Sequence, residues 1–175
     1  MTPENEQDIF TVVHITTDAI GEPGNRVFYI QANGENGLVT LLIEKLQIQT
    51  LAVGVEQFLA EVETRYPDLS PAVSNYDEEK MHIIPPVDPI FRAGELGLSY
   101  DVEKDKMILV VREALPEGSE KEPLLIRFWC TRTQIRSLCT WGIELSNRGR
   151  PVCPQCGEPM DPAGHFCPKK NGHKH

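Results

Sequence analysis

The sequence has no apolar run approaching the ~18 residues of a membrane span, and its polar start, MTPENEQD, has neither the basic nor the apolar region of a secretory leader. The expected location is therefore the cytoplasm, with no membrane association. The five cysteines are an odd number in a leaderless chain. That argues against a disulfide framework, because cytosolic thiols stay reduced. Catalytic signatures are missing too. There is no Ser/His/Asp set, paired-carboxylate motif or cofactor fingerprint. The glycines of GEPGNR, residues 21–26, lack the spacing and the following Lys-Ser/Thr of a P-loop and read as a turn. Whether the chain is an enzyme is not decided by its sequence.

What is present fits one domain of ordinary size with a small appendage: 175 residues, 40% of them apolar. The net charge of −9 is uneven. Residues 1–147 carry 12 Lys/Arg against 24 Asp/Glu, and residues 148–175 carry five against two. An acidic body bears a mildly basic tail, which argues against broad nucleic-acid binding.

A strand-and-helix unit occurs twice, in residues 39–59 and 126–146. A shift of 87 places Gln47 on Gln134, Ile48 on Ile135, Leu51 on Leu138, Ala52 on Cys139 and Phe58 on Leu145. In the first copy Ile48, Leu51, Ala52, Val55, Phe58, Leu59 and Val62 make one stripe of an amphipathic helix. In the second copy Thr131 and Gln134 have the spacing of a capping box. Upstream, residues 9–16, 27–32 and 38–43 read as strands, as do 91–100, 107–112 and 124–130. The fold class expected is α+β, with duplicated β-β-β-α halves related by a pseudo-two-fold. Two antiparallel three-stranded sheets would be joined or packed edge to edge, with the helices on one face. The domain division is a first half at 1–66, a Pro-rich linker at 67–89, a second half at 90–147 and a tail at 148–175. His14 reads as a hydrogen-bonded structural residue, Cys130 and Cys139 as core, and the DEEK patch at 77–80 as solvated surface.

The tail holds the most specific signal. Cys153 and Cys156 form a Cys-Pro-x-Cys-Gly knuckle whose spacing lets both sulfurs reach one ion, and Cys167 follows within eleven residues. Either His165 or His173 can complete a Cys3His tetrahedron around a structural zinc. Four protein ligands leave no open position for a substrate water.

The chain resembles a bacterial family of uncharacterised proteins, the domain-of-unknown-function 3090 family. The likeness lies in GEPGNRVFYIQA, LIEKLQI, FRAGELGLSYD and above all CPQCGEPMDPAGHFCPKKNG. It implies Cys153, Cys156, His165 and Cys167 as the ligand set, favouring His165 over His173, and it implies no activity.

Three functional readings follow. The first is a non-catalytic binding or adaptor module with a protein partner. The second is an enzyme or binder acting on a small anionic metabolite between the halves, using Arg26, Lys45, Gln47, Arg92 and Arg132. In it, Lys45 and Arg132 would stand beside two helix N-termini that face one cleft. The third is weak nucleic-acid contact through Arg148, Arg150, Lys169, Lys170 and Lys174, with Phe166 as the one aromatic.

Overall fold

β-branched and aromatic residues set the strands, and the two apolar stripes set the helices. The computed structural model describes residues 4–149, 153–158, 160, 165 and 167–170. Its strands are β1 (Glu6–Ile9), β2 (Val12–Ile20), β3 (Val27–Gly34), β4 (Gly37–Ile43), β5 (Pro89–Asp101), β6 (Lys106–Glu113) and β7 (Leu125–Cys130). The helices are α1 (Lys45–Arg65) and α2 (Arg132–Asn147). The fold is α+β. α2 follows three strands and α1 follows four, of which β1 pairs with the other half, and common descent of the two halves is a proposal beyond that order.

The structure joins the two expected units edge to edge and corrects one expected strand. The three-stranded units join through a parallel β4–β5 pair, so the sheet is mixed and runs β1-β7-β6-β5-β4-β3-β2. The stretch 9–16, read as one strand, is broken at Phe10 and Thr11. Ahead of the break β1 pairs in parallel with β7, and after it β2 pairs antiparallel with β3. The amides exposed by the break are not wasted, because the Glu35 carboxylate accepts from Phe10 N at 2.9 Å and Thr11 N at 2.6 Å. The Phe10 amide is the main reason that the Glu35 carboxyl lies below its ordinary pKa.

This order forces curvature. Laid flat, β1 and β2 would sit about 29 Å apart, six strand spacings of ~4.8 Å. The chain steps from Ile9 to Val12 and can cover only about 10 Å in doing so. The sheet therefore curls until its ends meet, and they meet at Gly34, where a Cβ would stand 2.5 Å from Ile9 Cγ2.

Both helices pack on the face that carries Ile15, Thr17, Ile30 and Leu41, in one core drawn from both halves. Gly142 makes the closest approach: a Cβ there would lie 2.6 Å from Ile48 Cγ2 and 3.2 Å from Thr17 Cγ2. The opposite face of β2 and β3 is covered by the segment between the halves. Thr16 donates to Met81 O, Asp18 accepts from Ile83 N, and the Gln31 amide both accepts from and donates to the Ile84 backbone. The acidic patch 77–80 is thus not merely solvated: Glu78–Met81 is a 3-10 turn capped by Asp77, and Glu78 pairs with Arg148.

Candidate metal centre

The knuckle folds as its sequence dictates. Gly157 adopts a φ of 77°, which a side chain resists, and its amide bonds Cys153 O at 2.9 Å to close the turn. Cys153 N bonds Glu158 O at 2.8 Å. The turn aims backbone amides at the first sulfur. Cys156 N, then Gln155 N, hold the Cys153 thiol down at about 6. At Cys156 the Glu158 amide favours the thiolate, but burial and the neighbouring sulfurs outweigh it and the thiol is pushed up.

The remaining donors arrive from the far end of the tail. Cys153 Sγ lies 3.9 Å from Cys167 Sγ, and Cys156 Sγ lies 3.2 Å from His165 Nε2. All four donor atoms fall within 4.8 Å of one another. Sulfurs held ~2.3 Å from a tetrahedral zinc would stand about 3.8 Å apart, so the donor set fits such an ion. Cys153, His165 and Cys167 are buried, Cys156 half-buried, and all are free thiols or imidazole rather than members of a disulfide. These four residues can hold a metal ion. His173, the rival fourth ligand, lies outside the described residues, as do Arg150, Phe166 and Lys174 of the nucleic-acid reading.

Of the five residues assigned to an anion site, Arg26, Lys45, Gln47 and Arg92 lie around the start of α1, and Arg132 stands apart from them. α1 and α2 run antiparallel, since Lys45 Nζ lies beside Gly149, Ile48 beside Gly142, and Glu56 pairs with Arg136. Their starts are therefore roughly 24 Å apart, the length of the sixteen residues of α2. Arg132 is buried and committed, bonding Asp105 through Nε at 2.8 Å and Nη2 at 3.2 Å, and Ser70 O at 2.7 Å. Arg26 donates to Leu145 O at the end of α2, beside Lys45. Arg92 pairs with Glu44. Gln47 braces α1 against β5 by donating to Ala93 O and Gly94 O.

Elsewhere, Cys130 and Cys139 are core as expected, and burial raises both thiols to about 12. At His14, read as hydrogen-bonded, the Nε2 is buried without a hydrogen-bond partner among the described residues. The sequence does not mark Asp105 as the partner of Arg132. Its positive φ of 48° and its pairing with Arg132, 27 residues on, both need the folded chain.

No helix among the described residues is long and apolar enough to cross a membrane. No curated protein and no solved structure matches the chain. The sequence profile of one family does match, over residues 9–167. With its Cys3His tail inside that match, the chain belongs to the family described as protein of unknown function, DUF3090.

Proposed function

We propose that the chain is a non-catalytic binding module of the cytoplasm whose C-terminal tail is folded around a structural zinc ion. The carrying observation is the closed donor set: three sulfurs and one imidazole within 4.8 Å of one another. Four ligands from the chain fill a tetrahedron and leave no position for an activated water, which separates a structural zinc from a catalytic one. Thiolate-rich coordination favours zinc over magnesium or calcium, which prefer oxygen. Five free thiols suit a reducing compartment.

The body supports the same reading. Arg26, Gln47, Arg92 and Arg132 each hold one element of the fold to another. The ligand we assign to the module is another protein. Metal analysis of protein purified without chelator tests the zinc: one equivalent per chain is expected, and cobalt substitution should give a tetrahedral thiolate spectrum. Protein that is folded throughout yet free of zinc would sink the assignment.

A further inference from the structure

We propose that the outward face of α1 pairs antiparallel with the same face of a second copy, giving a symmetric homodimer. The pairing goes beyond the zinc-bound module and does not depend on its metal.

The outward face of α1 lacks the charges of an ordinary solvated surface. Leu46, Thr50, Val53, Gln57, Ala60 and Thr64 fall at i, i+4, i+7, i+11, i+14 and i+18, one line along the helix opposite the buried Ile48, Val55 and Val62. All six are exposed, Leu46 by 70% and Val53 by 59%. A helix ordinarily carries its charges on the side that faces water. The five charged residues of α1, which are Lys45, Glu56, Glu61, Glu63 and Arg65, all lie off this line. Its alternating steps of four and three are those of a coiled-coil seam.

α2 shows how the fold covers a helix from outside. Ala72 O accepts from Arg136, Val73 N donates to Thr133 Oγ1 at 3.3 Å and Asn75 N donates to Ser137 Oγ at 3.0 Å, so the segment that follows α1 crosses the outer side of α2. The line on α1 is left bare.

Charge and symmetry select a second copy as its cover. Turned end for end, the line matches itself: Leu46 comes level with Thr64 of the other copy, Thr50 with Ala60 and Val53 with Gln57, so every layer joins an apolar residue to an uncharged polar one. No charge enters the seam. Lys45 and Glu63 stand about five turns apart and so share a flank of the helix. A two-fold axis across the pair sets like flanks together, which brings Lys45 of each copy towards Glu63 of the other. Lys45 has no ion pair among the described residues, and Glu63 spends one oxygen on Ala72 N. Glu56 lies on the same flank nearer the middle, where its own Arg136 neutralises it through both oxygens at 2.9 Å. Parallel pairing would instead set Lys45 on Lys45 and Glu63 on Glu63.

Sedimentation velocity of the intact metal-loaded chain, followed from micromolar to near-millimolar concentration, tests the pairing. The wild type should pass from monomer to dimer, and rising salt should return it towards monomer. Val53→Arg and Leu46→Arg each set a charge in the seam and should weaken dimerisation at least tenfold. Both positions are exposed, so each variant should melt as the wild type does when dilute, and either one that does so suffices. For orientation, Thr50→Cys chains mixed with Ala60→Cys chains should form a mixed disulfide dimer. Either alone should not, because its two new cysteines would stand about 15 Å apart along the seam. A chain that stays monomeric throughout overturns the proposal, as does a dimer indifferent to both arginine variants. Linkage of Thr50→Cys to itself, the mark of a parallel pair, also overturns it. Zinc content measured on the same samples keeps any of these failures distinct from a failure of the metal assignment.

Discussion

Gln47 and Gln134 brace the two halves against each other with the same set of hydrogen bonds. Each sits three residues after its helix cap and accepts from the capping residue's amide at 2.8 Å, Glu44 N for one and Thr131 N for the other. Each then donates to two consecutive carbonyls of the other half: Gln47 to Ala93 and Gly94 of β5, Gln134 to Val12 and Val13 of β2. Both carbonyl pairs sit where a strand changes register against its neighbour. A bulge frees carbonyls from the ladder, and the glutamine amide takes them up.

Because each glutamine serves a cap and a bulge, Gln47→Ala and Gln134→Ala should each destabilise the body by about 1–2 kcal/mol. Urea denaturation of the two single variants checks this. A loss at only one of the two sites would show that the bracing is unequal.

The helix glycines should respond in opposite directions. Gly142→Ala drives a Cβ into Ile48 and Thr17 and should cost about 1–3 kcal/mol by overpacking. Gly54→Ala meets nothing within 4 Å and should stabilise α1 by roughly 0.5–1 kcal/mol. Thermal melts of the two proteins decide the matter, and a melting temperature that rises for Gly142→Ala would contradict the packing described.

The Asp105 carboxyl is held below its ordinary pKa chiefly by the Arg132 guanidinium. Lowering in the folded state means that its contribution is complete above the unfolded pKa of ~3.9 and is lost as pH falls through the folded value. Asp105→Asn suits the positive φ and removes the charge. At neutral pH it should cost about 1–2 kcal/mol, less than for a fully buried pair because the Asp105 side chain is 45% exposed. Stability measured from pH 7 to pH 2 should fall less steeply for the variant below pH ~4, and parallel curves would refute the linkage.

Cys153→Ser should release the metal and unfold the tail while the body melts as in wild type. The reason is that the body keeps a single apolar core from which the tail cysteines are absent. Metal analysis beside near-ultraviolet circular dichroism reads both effects, and a body that melts at a lower temperature would show that the tail is part of the core. Cys139→Ser, buried in that core, should leave the metal bound.

Local signals carried much of this protein. Alternation and the 3.6-residue stripe placed five of the seven strands and both helices, because side-chain period reflects backbone geometry directly. The Thr131–Gln134 capping box and the Cys-x-x-Cys-Gly knuckle were equally legible, since each is completed within a few residues. Metal-ligand spacing brought Cys167 to that knuckle and left His165 and His173 as rivals for the fourth place, which the family resemblance gave to His165.

Whatever depends on distant segments was decided by tertiary structure. The break at Phe10 and Thr11 exists because the Glu35 carboxylate, 24 and 25 residues away, takes both amides, and no local pattern marks it. The parallel β4–β5 join set the sheet's curl. The antiparallel run of α1 and α2 carried Lys45 and Arg132 to opposite ends, and Asp105 then claimed Arg132. Sequence determined the elements and the donor set, through propensity and spacing. Which cation would be neutralised, and which helix face left bare, depended on how far apart packing set the helices and strands.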